Sequence, residues 1–510
     1  MDADVLIVGA GPTGLMLACE LALGGVRAMV VDRLGGRSRQ SKAGGLQPRT
    51  SEILDMRDLF ESAERKALNA GQLGSHFAAL PIPLDCRPWG TRHPWPVAVP
   101  QARLEDILEE RFLELGGEVL RSQELVALGR GEGGVIATLD GPSGSRPVEA
   151  GWLAGCDGGH STARRLIGVG FPGRAGTHSM VLSDVVVAGP EELVGREPRH
   201  FSNRVRAEAD RWAVLAPAES GLHRFMFGGP EQSSLARDAP VEEAEVQEAL
   251  RASYGEELKL VELRAGSRFT DASRQVDRYR VGRVFLAGDA AHVHSPLGGQ
   301  GLNLGVQDAF NLGWKLAAEV RGRAPAGLLD TYEEERHPVG ARVLHNTRAQ
   351  SALNRNIGDE EVTALRELFS DLMRMPDVNR HLSGMTSGLD VRYPVPEGAP
   401  DLVGRRAPDP DLETSGRTVR LSSLMRTGHG LLLDLGCGAA DSAVPDDRVD
   451  VVRAVGRDPE LPSGMLVRPD GYVCWAPAAG TLDGLGVARE RWFGPPVAMA
   501  STPPIADTGR

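Results

Sequence analysis

Apolar residues and glycines follow one another in a regular order at the start of the chain. Val5–Val8 is a short aliphatic run, typical of a strand buried on both faces of a parallel sheet. A helix is predicted from about Pro12 to Leu23, since the apolar stretch ends at Gly24-Gly25, a helix-terminating pair. A second strand, Ala28–Val31, follows. The pattern predicts a strand–helix–strand unit.

The middle of the chain alternates with the two-residue period of strands. Between residues 172 and 275 this alternation predicts an antiparallel sheet, interrupted by a helix over Glu242–Ser253. The expected strands are Met180–Val187, Trp212–Ala216, Arg224–Gly228 and Glu262–Phe269.

Helical periodicity returns on either side of that sheet. Leu104–Leu115 carries an apolar stripe, and Asp308–Val320 and Leu328–Thr347 fit long amphipathic helices. Prolines cluster over Pro394–Pro410 and mark a linker. Beyond it the pattern predicts strands at Gly430–Leu435, Val449–Ala454, Met465–Pro469 and Tyr472–Trp475.

The first strand–helix turn has the chemistry of a dinucleotide site. Gly9, Gly11 and Gly14 stand in G-x-G-x-x-G spacing, which permits a tight turn, close approach of a pyrophosphate and helix–strand packing. Asp32 ends the second strand, where a carboxylate accepts hydrogen bonds from ribose hydroxyls. An acid here disfavours a 2′-phosphate and fits FAD or NAD. The alternative is an ordinary strand–turn–helix without a nucleotide.

A second glycine-rich stretch distinguishes FAD from NAD. Val284–Leu286 predicts a buried strand that ends at Gly288-Asp289, where a carboxylate can bind the hydroxyls of a flavin's ribityl chain. The run Pro296–Asn303 places three glycines before a helix, so that backbone N–H groups are available to stabilise negative charge on a reduced flavin. The alternative makes Asp289 a helix N-cap and the glycines a flexible loop.

Composition and charge narrow the class of protein. The chain has 510 residues and a formal net charge of −12, which gives no argument for a basic surface that would bind nucleic acid or an anionic membrane. Its five cysteines are scattered without a C-x-x-C pair, so reduced thiols in a cytoplasmic protein are expected and a metal site is not. No apolar run reaches the roughly 18 residues that span a bilayer.

The combined motifs resemble one known family. The run GDAAHVHSPLGGQGLN, the following DAFNLGWKL and the earlier GCDGGHSTAR at Gly155–Arg164 are similar to those of class A flavoprotein monooxygenases of the para-hydroxybenzoate hydroxylase type. The whole chain resembles the bacterial aromatic polyketide hydroxylases, which tailor angucyclines and anthracyclines in antibiotic biosynthesis, and the related rifampicin monooxygenases.

The resemblance implies an α/β fold with three parts. These are a discontinuous Rossmann-like FAD-binding domain (1–70, 98–171 and 276–395), an antiparallel-sheet substrate domain (71–97 and 172–275) and a C-terminal thioredoxin-like domain without C-x-x-C (396–510). It also implies a set of FAD-binding residues: Gly9, Gly11, Pro12, Thr13, Gly14, Asp32, Arg33, Lys42, Gln101, Asp157, Gly288, Asp289, Gly301, Leu302 and Asn303.

The implied activity is hydroxylation of an aromatic polyketide-type phenol or quinone by a cytoplasmic monomer or homodimer. NADPH, docking transiently, would reduce the flavin, and O₂ would add at its C4a position to give the hydroperoxide that oxygenates the ring. The flavin-activating loop contains Pro296, Gly298, Gly299 and Gly301, and no side chain is required as a general base. His292 and His294 are candidate proton shuttles or structural residues.

Three other functions stay open at this point. The same flavin chemistry supports Baeyer–Villiger oxygen insertion beside a ketone, or inactivation of a rifamycin antibiotic. A flavin carrier without turnover is the alternative from a different class. Several side chains in the predicted sheet are candidates either for substrate contact or for the core: Phe201, Trp212, Phe225, Met226 and Phe227.

Overall fold

The computed structural model describes most of the chain in two compact units. The described residues are 1–37, 43–68, 74–194, 199–208, 211–218, 221–236, 238–355, 357–443, 446–478 and 481–495. The first unit comprises Met1–Val320 and Leu329–Val391, and the second comprises Arg321–Leu328 and Arg392–Arg510.

The strands of the first unit form three sheets. In chain order they are β1 (Ala3–Val8), β2 (Ala28–Val31), β3 (Glu118–Leu120), β4 (Glu124–Gly131), β5 (Gly134–Gly141), β6 (Gly144–Gly155), β7 (Gly173–Arg174), β8 (Ser179–Ala188), β9 (Val205–Glu208), β10 (Arg211–Pro217), β11 (His223–Gly228), β12 (Lys259–Thr270), β13 (Ser273–Gln275), β14 (Arg280–Val281), β15 (Val284–Leu286) and β16 (His292–Val293).

Its helices surround these sheets. They are α1 (Pro12–Leu23), α2 (Pro48–Asp55), α3 (Phe60–Arg65), α4 (Gln101–Glu114), α5 (Thr162–Leu166), α6 (Glu191–Val194), α7 (Pro230–Ser234), α8 (Glu243–Tyr254), α9 (Gly301–Val320), α10 (Asp330–Leu353), α11 (Glu360–Met373) and α12 (Pro376–Ser387).

The main sheet explains the buried aliphatic runs. Its strand order is β14-β15-β6-β1-β2-β3, with β15, β6, β1, β2 and β3 parallel, and the β4–β5 hairpin joins at β6. Helix α1 lies against α4 and α9. The α1–α9 contact is close, because a Cβ at Gly313 would lie 2.4 Å from the Glu20 Cβ. The carboxyl ends of β1, β2 and β15 therefore meet at one edge, where ligands of such sheets bind.

A five-stranded antiparallel sheet of order β12-β8-β11-β10-β9 follows the predicted alternation. One face packs on α8 through a core that includes Val185, Leu215, Phe225 and Phe227. The other face is left for a cavity. The four strands predicted here are confirmed, each extended by a few residues.

The second unit is a small α/β body. Its elements are β17 (Asp411–Thr414), β18 (Arg417–Arg420), α13 (Leu421–Leu424), β19 (Gly430–Asp434), β20 (Val449–Arg453), β21 (Val455–Gly456), β22 (Gly464–Val467), β23 (Val473–Trp475) and α14 (Leu485–Phe493).

The four strands predicted beyond the linker are confirmed as β19, β20, β22 and β23, and they form one sheet. The order is β20-β19-β22-β23, in which β19 and β20 are parallel and the other pairs antiparallel. The described residues between β19 and β20 form turns and no helix. The predicted α/β class is confirmed, and none of the described helices is long and apolar enough to cross a membrane.

Candidate active site

The turn between β1 and α1 is built by its glycines. Gly9 has φ +108, and a Cβ there would lie 2.4 Å from the carbonyl oxygen of Cys156, so only glycine fits. A Cβ at Gly11 would meet nothing within 4 Å, since this residue faces open space. No side chain caps α1 and no acidic residue stands in its first turn, which begins with Pro12 and Thr13. This helix end therefore presents a positive dipole to an anion.

Asp32 fixes the shape of that turn from the end of β2. Its Oδ2 accepts a hydrogen bond from the Ala10 N–H at 2.8 Å, and its Oδ1 accepts one from the Leu34 N–H at 2.9 Å. Asp32 and Arg33 line the same cavity as Gly11. Lys42, also predicted to contact the cofactor, lies outside the described residues.

Asp289 stands at the second predicted site, on the short turn after β15. Gly288 precedes it with φ +61, and a Cβ there would lie 2.6 Å from the Thr13 hydroxyl. The Asp289 carboxylate is exposed to the cavity and makes no hydrogen bond or ion pair within the described part of the chain. The structure therefore does not use Asp289 as a helix N-cap, and both carboxylate oxygens are available to a ligand.

The loop before α9 is held rigid. Gly298 and Gly299 have φ values of +77 and +62. The Gln47 side-chain amide donates to the Gly298 carbonyl at 2.9 Å, and the Asn303 amide donates to the Gly299 carbonyl at 2.8 Å. Asn303 Oδ1 also accepts the Gln47 backbone N–H at 2.8 Å. Asn303 thus joins two loops, a role that no sequence pattern predicted. The flexible-loop alternative does not describe this turn.

The remaining residues of the loop lie beside the same space. Pro296, Leu297, Gly301 and Leu302 all line the cavity. Helix α9 begins here, with no acidic residue in its first turn. Its N-terminus therefore offers a second positive helix end.

Asp157 and Gln101 complete the predicted set. Asp157 Oδ2 accepts the Thr162 N–H at 2.7 Å at the start of α5, while its Oδ1 is buried without a hydrogen-bond partner. Gln101 donates to the carboxylate of Glu105 at 2.8 Å, and burial raises the pKa of that carboxyl. Asp157, Gln101 and Glu105 all line the cavity.

A fully buried ion cluster supports the Asp289 turn from behind. Asp308 accepts from Arg336 Nε at 2.8 Å and contacts His292 Nε2 at 2.7 Å, and all three side chains are inaccessible to solvent. Asp308 also accepts the Gly288 N–H at 3.2 Å. Burial by itself would raise the pKa of Asp308, but Arg336 and His292 outweigh it and the pKa is lowered. His292 is thereby placed in a structural cluster.

His294 lies nearer the cavity. Its Nδ1 lies 2.8 Å from the Ser295 carbonyl and so carries the proton, which leaves Nε2 as an acceptor. That Nε2 is buried without a partner, and burial lowers the pKa of the ring. His294 is neutral at pH 7.

One cavity of about 1600 Å³ is bordered by Gly11, Asp32, Asp157, Asp289 and the Gly298 turn. One face of the five-stranded sheet lines the same cavity. The sheet face there is mostly apolar, with one ion pair between Arg224 and Asp184 at 3.3 Å. The side chains that form this face are Met180, Leu182, Asp184, Trp212, Val214, Ala216, Arg224 and Met226.

The structure shows which of the five candidate side chains line the cavity and which belong to the core. Phe201, Trp212 and Met226 line the cavity, whereas Phe225 and Phe227 point to the opposite face and belong to the core. Alternation along β11 decides this, because neighbouring residues of a strand face opposite ways. The same rule, applied to Arg224, would have identified this missed lining residue.

The donor set fits FAD. Two helix ends without acidic residues suit a pyrophosphate and a flavin edge, and the carboxylates of Asp32, Asp289 and Asp157 suit the hydroxyls between them. Among the described residues, no group of His, Cys, Asp and Glu is placed to hold a metal ion.

Comparisons with known proteins identify the family. The family model "FAD binding domain" matches residues 2–347, and "Aromatic-ring hydroxylase, C-terminal" matches residues 400–496. A 12-dehydrotetracycline 5-monooxygenase/anhydrotetracycline 6-monooxygenase of Streptomyces rimosus is 46% identical over 97% of this chain and 100% of its own. A rifampicin monooxygenase of Streptomyces venezuelae is 43% identical over 93% of this chain and 95% of its own.

A solved structure agrees with these relatives. The anhydrotetracycline hydroxylase of Streptomyces rimosus superimposes with a TM-score of 0.87 and 44% identity, covering 98% of this chain and 100% of that one. The predictions of FAD as cofactor and of the para-hydroxybenzoate hydroxylase fold type are confirmed. The chain belongs to the FAD-dependent aromatic-ring monooxygenases.

Proposed function

We propose that the protein hydroxylates a fused-ring phenol of the polyketide type, with NADPH and O₂ as co-substrates. One observation carries the proposal: the cavity continues from the glycine loop before α9 onto a broad sheet face. Leu182, Met226 and Val214 stand opposite one another on three neighbouring strands and form an apolar row. The next row carries Asp184 and Arg224. A flat apolar ligand with polar substituents matches this face.

The names of the relatives support the same class. A relative and a solved structure, both from Streptomyces rimosus, are named for action on anhydrotetracycline, a fused polycyclic phenol, and both match this chain over nearly its whole length. The proposed substrate class is carried over from them. Product analysis determines which ring position is hydroxylated.

The residues divide the work as follows. When bound, FAD would pass two electrons from NADPH to O₂, so that one oxygen atom is added to the ring and the other is released as water. Asp32 and the start of α1 hold the adenosine and pyrophosphate, and Asp289 and Asp157 hold the ribityl side. The rigid Gly298–Gly299 turn orients backbone dipoles towards the flavin edge. The sheet face positions the ring and excludes water.

The nicotinamide cofactor is proposed to dock transiently. The sequence contains one strand–helix unit of G-x-G-x-x-G spacing with a terminal acid, and this unit serves FAD. The open edge of the cavity at Asp157 and His160 is the proposed approach.

The test is turnover by the purified yellow protein. NADPH oxidation is measured with and without anhydrotetracycline and a panel of other fused-ring phenols. The reaction is run under ¹⁸O₂, and mass spectrometry of the products detects the gain of one labelled oxygen atom. Substrate-stimulated NADPH oxidation with a labelled hydroxyl is expected. Equal rates with and without every phenol would overturn the proposal and favour a flavin carrier.

Rifamycin inactivation is the second candidate, because one relative at 43% identity is a rifampicin monooxygenase. A host that expresses the chain and gains rifampicin resistance would establish it. Baeyer–Villiger insertion is distinguished by NMR, since it places the new oxygen inside a carbon framework and hydroxylation places it on a ring carbon.

A further inference from the structure

A stacked pair of rings forms part of the cavity wall close to the flavin loop. His76 and Phe201 have ring centroids 4.2 Å apart and planes inclined by 13°, and both residues line the cavity. Ser75, next to His76, donates from its hydroxyl to Gln47 Oε1 at 3.1 Å. The Gln47 side chain in turn donates to the Gly298 carbonyl. His76 is therefore tied to the turn that precedes α9.

The backbone after His76 is held in an uncommon conformation. Ala78 and Ala79 have φ values of +50 and +53, a left-handed region that alanine adopts only at an energetic cost. Gln350 Oε1 accepts the Ala78 N–H at 2.9 Å, and Arg366 donates to the Ala78 carbonyl at 3.2 Å. Strain that is maintained by buried anchors is typical of functional sites.

This turn sets the tautomer of the imidazole. The Ala79 N–H donates to His76 Nδ1 at 3.2 Å, so Nδ1 is an acceptor and a neutral ring carries its proton on Nε2. Burial, with a contribution from nearby His200, lowers the pKa of His76 to about 3. At pH 7 the ring is a neutral N–H donor and too weak a base to take a phenolic proton.

The donor is directed at the ligand space. His76 Nε2 makes no hydrogen bond to any described residue and is open to the cavity that the ring lines. A directed, unused N–H donor in a low-dielectric wall discriminates strongly between ligands that offer an acceptor and those that do not.

We infer that His76 is a substrate-binding residue that donates from Nε2 to an ionised phenolic oxygen of the fused-ring substrate, with Phe201 holding the imidazole in plane. The inference rests on the proposed function. A hydrogen bond to the charged form favours that form. The phenolate is also the electron-rich form of the ring that accepts an electrophilic oxygen. The donor thus contributes to both binding and activation.

The experiment uses the FAD-loaded protein with anhydrotetracycline as the probe. The dissociation constant of anhydrotetracycline is measured from the change in flavin absorbance. The ionisation of its phenol in the bound state is measured from the absorbance of anhydrotetracycline as a function of pH. His76→Phe keeps a ring against Phe201 and removes the donor. His76→Gln supplies an amide N–H in its place. His345→Phe, on an exposed position of α10, is the matched control.

His76→Phe is expected to bind roughly ten- to a hundredfold more weakly and to raise the pKa of the bound phenol by one unit or more. His76→Gln restores part of both effects, and His345→Phe changes neither. FAD content and thermal midpoint are measured for each variant to show that it is folded. If His76→Phe misfolds, His76→Leu removes the donor instead, and unchanged phenol ionisation and affinity in that variant overturn the inference.

Two failures are distinguishable. If the wild type binds anhydrotetracycline and His76→Phe binds it equally well with the same phenol pKa, the role of His76 is wrong and the proposed function stands. If the wild type binds neither this probe nor any other fused-ring phenol, the proposed function fails and the inference fails with it.

Discussion

Asp289 is the residue at which the proposed flavin side of the site is most directly tested. Its carboxylate faces the cavity without a partner among the described residues, so its removal leaves no buried group unsatisfied. We expect Asp289→Ala to weaken FAD binding roughly ten- to a hundredfold, the range for hydrogen bonds to a charged group. The FAD-free protein keeps its thermal midpoint. Equilibrium dialysis and calorimetry measure the two quantities.

The control for Asp289 is an aspartate outside the cavity. Asp371 on α11 has a side chain that is 77% exposed, and Asp371→Ala is expected to retain full FAD affinity. Full FAD occupancy in Asp289→Ala would contradict the placement of the ribityl side of the cofactor.

Asp308, unlike Asp289, is fully buried and its carboxylate contacts Arg336 and His292. Asp308→Asn removes the negative charge that faces the Arg336 guanidinium at zero exposure, and we expect it to cost roughly 3–5 kcal/mol of unfolding free energy. Urea unfolding of the FAD-free protein at pH 7 measures this loss. A change below 1 kcal/mol would show that the cluster is not ionised as described.

The pH dependence of that cluster has a definite sign. The pKa of Asp308 is lower in the folded protein than the value of about 3.9 in an unfolded chain. Its contribution is therefore complete above that unfolded value and is lost as pH falls through the folded-state pKa. We expect wild-type unfolding free energy to decline below about pH 4, and to decline less steeply in Asp308→Asn. Parallel curves for the two proteins would contradict this.

The roles of individual residues could be predicted where neighbouring residues in the sequence determine their geometry. Gly9 and Asp289 belong to short motifs whose geometry is set by their neighbours. Asn303 and Gln47 are different, because their hydrogen bonds join positions 256 residues apart and no periodicity connects them. His76 gave no signal for the same reason: its tautomer is set by a turn that Gln350 anchors.

At the scale of elements, strand β11 offers neighbouring residues with opposite roles. Phe227 packs in the core against α8, and Met226 lines the cavity. Phe227→Ala is expected to cost about 3–5 kcal/mol of unfolding free energy, as for other buried phenylalanines. Met226→Ala is expected to cost much less and to weaken binding of anhydrotetracycline several-fold. Urea unfolding and flavin absorbance titrations measure the two effects.

The pair is its own control. A stability loss of similar size in both variants, with unchanged ligand binding in Met226→Ala, would show that the sheet does not present one face to the ligand. Phe227→Ala with stability near wild type would equally contradict the assignment of its face.

Elements were predicted well where one face is buried and less well at glycine-rich boundaries. Strand periods placed the antiparallel sheet, because alternation is imposed by a core on one side and a cavity on the other. Helical periodicity marked α9 only over Asp308–Val320, whereas the helix begins at Gly301, within the Pro296–Asn303 run that was expected to open a helix. Its first turns contain Gly301 and Gly305, which local propensity disfavours. Burial against α1 and the Asp289 turn overrides that preference.

At the scale of the whole molecule, one ligand connects segments that the chain separates widely. Residues of the stretches 9–33 and 289–302, which we propose hold the adenosine and flavin sides of FAD, border one cavity. The motifs predicted that convergence. The width of the cavity under the sheet was not predictable, because it depends on how the sheet packs over the glycine loop.

Because FAD joins an adenosine portion to a flavin portion, we expect it to bind more tightly than either portion alone. We expect FAD to raise the thermal midpoint of the protein by several degrees, since a ligand at a hundred times its dissociation constant adds about 2.7 kcal/mol. ADP and FMN at the same concentration are each expected to give a small fraction of that shift, because only the joined molecule gains the effective concentration of its second half. Differential scanning calorimetry compares the thermal midpoints with the three ligands.

The Asp289→Ala variant tests which half of FAD binds at which end of the site. That variant should lose the response to FMN and keep the response to ADP. If ADP alone matched FAD in the wild type, the flavin-side residues would contribute nothing to binding, and the two motifs would not share one cofactor.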